Sequence, residues 1–235
     1  MTLVATAVGF FGLPTAALVA VPVGVAFAAL GAGAERLASV WPPDEPSRRR
    51  PGLRTLALAL AAGLAAGAVT WRSSLPAWAT AVHLAILALL VVLTATDMEQ
   101  HRLPHLLLDP LLLIAVAFVP FNPSVDWTNA LIGAVTATAV LGVLGLALRG
   151  GVAFGDLLLV APLALLLGWP AIFVAIFLAA LLSAVVGIGL LVTRRAGMRS
   201  YIPFGPFLVI GTVVTLLRDP DLLGPATAAV TLLGR

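Results

Sequence analysis

The sequence has no cysteine. That excludes disulfides, thiolate zinc sites and iron–sulfur clusters, and it leaves the redox character of the compartment open. Lysine is absent too: all thirteen basic residues are arginine. Charge of either sign is scarce, at 10% of residues against 61% hydrophobic ones. A soluble domain needs far more polar surface to cover its core. The formal net charge of +3 reflects arginines in the loops between apolar runs, so no nucleic-acid partner is expected.

What the chain has in quantity is apolar runs, over residues 4–30, 53–71, 78–96, 106–119, 130–148, 157–167, 171–192 and 204–217, with a short tail at 222–233. Several reach the roughly 18 to 28 residues that cross a bilayer as a helix. The runs near 106 and 157 are short for a span, and the tail is short enough to be interfacial. Proline and polar residues separate the runs: a polar loop from Trp41 to Gly52, then Pro76, residues 120–123, Gly168-Trp-Pro170 and Asp219-Pro220. The expected fold is an all-α polytopic membrane protein with about seven to nine transmembrane or interfacial helices. It reads as a single membrane-embedded domain over 1–235: first span 4–30, cytoplasmic loop 36–53, core 54–217, apolar tail 222–233. The first run carries no basic leader and is longer than the apolar part of a signal peptide, so it is expected to be retained. The lipid bilayer is therefore a partner; oligomeric state is not legible. No internal repeat points to a transporter built from inverted halves.

Arginine placement orients the spans. With the loop after the first span in the cytoplasm, Arg36, Arg48, Arg49, Arg50 and Arg54 lie on that side. Alternation then brings Arg102, Arg149, Arg194, Arg195 and Arg199 to the same side, and leaves Arg72 and Arg218 opposite. That bias obeys the positive-inside rule and puts the amino terminus outside.

Of the ten acidic residues, Asp97, Glu99, Asp109 and Asp156 lie near helices. A charged carboxylate at the centre of a membrane helix costs about 2.5 to 3.5 kcal/mol, so acids at membrane depth need a reason. The topology puts Asp97 at the cytoplasmic end of one span and Asp156 at the start of another, at one membrane level. Two close carboxyls cannot both ionise easily and share a proton. The ionised one can take a proton from water while the protonated one serves the peptide carbonyl or the leaving amine. Placement alone equally allows each to cap a helix or reach to the interface. Glu99 reads as solvated, and Asp109 before Pro110 as a helix N-cap. His101 and His105 beside Asp97 or Glu99 lack a convincing third ligand, so no metal and no cofactor is expected. His83, alone in an apolar span, reads as a hydrogen-bonded packing residue. Arg102 and Arg149 flank the two acidic motifs as topology anchors or substrate contacts. Gly63 with Gly67, and Gly151 with Gly155, read as close helix packing, and Trp169 and Tyr201 as interface aromatics.

Three local sequences go further. Asp97-Met-Glu-Gln-His-Arg-Leu-Pro104 resembles the first signature of the prepilin peptidase family, and Pro110 falls where that family often continues with a second proline. Ala153-Phe-Gly-Asp156 resembles the second, Gly-x-Gly-Asp opening a helix. Ile202-Pro-Phe-Gly-Pro-Phe207 looks like the family's late Pro-Phe-Gly-Pro segment. The three stand in the family's order. The resemblance implies that Asp97 and Asp156 are catalytic aspartates of a membrane aspartyl endopeptidase. Its partner would be a prepilin or pseudopilin, whose leader is cleaved at the cytoplasmic face of the bacterial cell membrane. Longer members insert paired Cys-x-x-Cys motifs, associated with methylation, where this chain has the short cysteine-free loop 36–53. A compact peptidase-only form is therefore expected.

The chain departs from the family pattern at Ala153, where the first glycine stands, at Leu158, where a lysine is usual, and at His105, where asparagine or aspartate is common. An alternative is therefore a catalytically inactive relative serving as a membrane assembly scaffold. A transporter would need polar residues at mid-membrane, and only His83 answers to that.

Overall fold

The computed structural model describes residues 15–41, 50–147, 153–194, 203–219 and 221–224. These form eight helices: α1 (Thr15–Val40), α2 (Leu53–Arg72), α3 (Ala77–Gln100), α4 (His105–Phe118), α5 (Trp127–Ala147), α6 (Phe154–Leu167), α7 (Ala171–Val192) and α8 (Gly205–Arg218). A 3-10 turn, Val119–Phe121, follows α4. No strand occurs among the described residues. Proline sets many of the boundaries: Pro76, Pro104 and Pro170 directly precede α3, α4 and α7, and Pro206 sits in the first turn of α8, where no intrahelical N–H is needed. Helices α1, α2, α3, α5 and α7 are long and apolar enough to cross a membrane, and α4, α6 and α8 are shorter apolar helices. The protein is a multi-pass membrane protein.

Two boundaries differ from the sequence expectation. Helix α1 continues to Val40 instead of ending near residue 30, so Glu35 and Arg36 are helical rather than in a loop. Gly31 and Gly33 only weaken a helix, and the first strong break is the proline pair at 42–43. The expected start of this span, residues 4–14, lies outside the described residues. Asp109 is not an N-cap: α4 already begins at His105, and the Pro104 carbonyl accepts the N–H groups of Leu107 at 3.0 Å and Leu108 at 3.1 Å. Pro110 then sits inside the helix. Its missing N–H removes only one bond there. Of the apolar tail, Leu222 and Leu223 are buried in a turn, and residues 225–235 lie outside the described residues.

Helix α3 is the axis of the fold. In its most apolar window 56% of residues are buried, against 17% in α1 and α2 and 22% in α5 and α7. Its Ile86, Leu90 and Leu93 pack with Leu111 of α4, Leu159 and Leu163 of α6 and Leu208 of α8 in one apolar core. A smaller cluster, Ala34, Ala38, Ala62, Val91 and Ala95, joins α1 and α2 to the same helix. Within that hairpin Gly31 lies against Leu58 and Gly24 against Gly63, so the two helices run antiparallel.

The turns divide between two ends. At one end Ser74 N–H donates to the Leu223 carbonyl at 2.7 Å, Ser124 Oγ to the Gly224 carbonyl at 3.0 Å, and Trp169 N–H to Asn129 Oδ1 at 2.8 Å. These bonds tie the α2–α3, α4–α5 and α6–α7 turns and the chain after α8 into a closed cap. The other end holds the α3–α4 turn and the starts of α6 and α8.

Candidate active site

At this second end a cavity of about 330 Å³ lies between the end of α3, the start of α4 and the start of α6. Asp97, from the last turn of α3, and Asp156, from the first turn of α6, both line it. Each is only 3% exposed. The two carboxyls stand near enough for the charge on Asp97 to act on Asp156. Two acidic side chains distant in sequence thus meet in one recess, as the alternating topology requires.

Local sequence explains each placement. Helix α3 outlasts its apolar run by one polar turn, Asp97-Met-Glu-Gln100, and closes on His101 in the left-handed conformation, φ 54°. The His101 N–H donates back to the Asp97 carbonyl at 2.9 Å, so the cap is built on the residue whose side chain faces the cavity. Asp156 occupies the third position of α6. There a carboxylate interacts favourably with the free N–H groups of a helix start, and its carboxyl turns back toward the Ala153 backbone.

The three motifs interlock. A Cβ on Gly155 would meet Leu103 Cδ1 at 3.2 Å and Cβ at 3.3 Å, so the glycine before the second aspartate is where Leu103, from the first motif, seats. A Cβ on Gly205 would stand 2.6 Å from Asp97 Oδ2, so the late Pro-Phe-Gly-Pro segment brings bare backbone against the first aspartate. The same Oδ2 is buried against the Gly205 backbone.

Other residues singled out by sequence fall into place around this recess. His101, Arg102 and His105 line it, and His105 Nδ1 approaches Asp109 Oδ1 at 3.5 Å with both side chains exposed. Glu99 is not solvated, as its position in a polar turn implied. Its side chain is 11% exposed and its Oε2 lies 3.7 Å from Arg54 Nη1, because α2 starts beside the end of α3. His83 is buried far from the recess; its Nδ1 pairs with the Ala79 carbonyl at 2.9 Å and its ring meets Phe118 edge-on at 5.4 Å. Trp169 is half exposed beside Phe173. Arg149, Gly151, Arg195, Arg199 and Tyr201 lie outside the described residues. Among the described residues no three His, Asp or Glu side chains converge as metal donors. Gln100, which also lines the cavity, lies inside the first of the three motifs, but its residue type carries no signal of its own there.

Residues 84–188 match the model of the type IV leader peptidase family, a segment that holds both aspartates. They belong to that family. Similar curated proteins bear the name prepilin leader peptidase/N-methyltransferase. The one from Aeromonas salmonicida (strain A449) is 35% identical over 147 residues, 60% of this chain and 50% of the relative. That from Burkholderia pseudomallei (strain 1026b) is 36% identical over 173 residues, 70% and 55% respectively. A more distant one from Bacillus subtilis (strain 168) is 28% identical over 137 residues, 58% and 55%. The chain thus spans about half the length of the curated relatives it matches. No solved structure matches it.

Within this leader peptidase segment the departures acquire a physical reading. Ala153 has φ −70° and ψ 145°, an ordinary extended conformation open to any residue, so alanine meets no backbone strain there. Leu158 contributes an apolar wall to the cavity.

Proposed function

We propose that the chain is a membrane aspartyl endopeptidase that removes the leader of prepilins or pseudopilins at the cytoplasmic face of the cell membrane, with Asp97 and Asp156 as the catalytic pair. The observation that carries this reading is the meeting of both carboxyls, from two different motifs, in one recess of a protein whose relatives are named prepilin leader peptidases. A pair sharing one proton supplies both halves of amide hydrolysis. The ionised carboxylate takes a proton from water as the water oxygen adds to the scissile carbonyl carbon. The protonated partner hydrogen-bonds the carbonyl oxygen, and a proton passes to the departing amine as the C–N bond breaks. Burial keeps bulk water scarce around the pair, and the recess lies at the end where helix starts and a polar turn meet. A substrate with an apolar helix can stay in the bilayer there while its leader junction reaches the carboxyls.

The test is processing of a candidate prepilin in membranes by wild type, Asp97→Asn and Asp156→Asn. Wild type is expected to release the leader, and each variant to slow it by roughly 10²–10⁴-fold or more while remaining folded. Retained processing by either variant would overturn the pair. Orientation has its own test, because the chain has no native cysteine. A single Arg102→Cys thiol at the recess is expected to resist a membrane-impermeant reagent added outside intact cells, and to react once the membrane is opened.

A further inference from the structure

Gln100 is the last residue of α3, three positions beyond Asp97, and lines the same cavity. Residues three apart on a helix are neighbours on its surface. The side-chain nitrogen of Gln100 donates to the Ala38 carbonyl and to the Trp41 carbonyl, each at 2.8 Å. Both acceptors sit at the end of α1, where a helix leaves carbonyls without intrahelical partners. An amide nitrogen has two hydrogens, and both are used on this one site. Just before it, Ala34 and Ala38 pack against Val91 and Ala95, and side chains this small let α1 come close to α3. The last turn of α3 is therefore held locally by the His101 cap on the Asp97 carbonyl and across the fold by α1 through Gln100. The neighbouring Arg54–Glu99 contact is longer, at 3.7 Å, and Arg54 is more than half exposed, so it restrains less.

We propose that Gln100 is a positioning residue that fixes the Asp97 carboxyl by anchoring the final turn of α3 to the end of α1, which makes the α1–α2 hairpin a working part of the site although it lies outside residues 84–188. The inference rests on the reading of Asp97 as catalytic. Gln100 touches no reacting atom. It sets where the carboxyl stands relative to Asp156, and a displacement of about 1 Å of a catalytic group is enough to slow a reaction about 100-fold.

The experiment compares Gln100→Met, Gln100→Glu and Arg54→Gln in the full chain, with a prepilin substrate titrated to separate kcat from KM. Methionine keeps length and apolar bulk without a donor. Glutamate keeps length and helix propensity but points carboxylate oxygens at two carbonyls, and it stands in should the methionine variant fail to accumulate. Both are expected to lower kcat roughly 10- to 100-fold with KM within about twofold of wild type. Arg54→Gln is expected to stay within about twofold on both. Wild-type kcat in the Gln100 variants overturns the inference. So does a raised KM at unchanged kcat, which would make Gln100 a substrate contact, and so does an equal loss in Arg54→Gln, which would make hairpin attachment in general the cause. A wild-type protein that processes no prepilin overturns the peptidase reading and this inference with it. Processing that Asp97→Asn abolishes while the Gln100 variants retain it overturns the inference alone.

Discussion

The α1–α2 hairpin and the bundle of α3, α4, α6 and α8 use small residues for different ends. In the hairpin, backbone meets backbone: a Cβ on Gly31 would come within 2.8 Å of the Leu58 carbonyl oxygen, and one on Gly63 within 2.8 Å of the Gly24 carbonyl oxygen. Lipid chains are as apolar as leucine, so helices in a bilayer gain cohesion from such close contact rather than from burial as such. In the bundle, large aliphatic side chains fill the interior; Gly211 of α8 still seats against the α7 backbone at Ala175, but two other glycines stand beside the site, Gly205 against Asp97 and Gly155 against Leu103. One kind of contact holds helices together, and the other sets where a carboxyl can be. Substitutions at the two kinds of glycine should therefore separate stability from activity.

The largest effect is expected at Gly205→Ala. The new methyl would collide with Asp97 Oδ2, and the carboxyl or the start of α8 must move. Processing is expected to fall about 100-fold with the protein still folded, read as the single-turnover cleavage rate. A wild-type rate would mean that Asp97 has room the geometry denies it. Gly155→Ala is milder, because the atoms met at 3.2–3.3 Å belong to the Leu103 side chain, which can shift. A loss of about tenfold or less is expected, since part of the displacement is absorbed before it reaches the carboxyls. In the hairpin, Gly63→Leu should act on stability, lowering it by about 1–3 kcal/mol through overpacking against α1. Thermal unfolding in detergent measures this, and cleavage per folded molecule should change far less than in Gly205→Ala. If Gly63→Leu proved as damaging to the chemical step as Gly205→Ala, the division between the two regions would collapse. The smallest effect is expected at Ala153→Gly. The backbone there is ordinary, so restoring the family's glycine should leave the cleavage rate within about twofold. A large gain would show that alanine costs the site something other than backbone strain.

Much of this arrangement was legible in the sequence because it is local. Apolar run length and proline punctuation located every helix from α2 to α8, and α7 begins and ends where its run does, at Ala171 and Val192. The arginine alternation required Asp97 and Asp156 to reach one end of the bundle, and they share a recess there. Three short motifs in order marked the segments that interlock. The failures are equally physical. Hydropathy alone could not follow α1 through Glu35 to Val40, because a helix continues through polar residues until something breaks it. Asp109-Pro110 imitates a helix start, but Pro104 had already opened α4. Glu99 read as solvated since nothing near it in sequence shows that Arg54 will stand beside it. The amide of Gln100 bonds to carbonyls about 60 residues away, a partnership with no periodicity or spacing to betray it.

Helices α4 and α6, which begin at the recess, and α8, whose first residue abuts Asp97, have 14 residues each. At 1.5 Å per residue each rises about 21 Å, some 9 Å short of a hydrocarbon layer of about 30 Å. Helix α6 packs against both α4 and α8, so the shortfall is confined to one sector of the molecule. Hydrophobic mismatch of this kind is relieved by thinning the adjacent lipid or by drawing headgroups and water inward. The carboxyl pair can then be wetted below the nominal membrane surface, and bilayer thickness becomes a physical variable of the site: in reconstituted vesicles, lengthening the acyl chains works against the recess without touching a single residue.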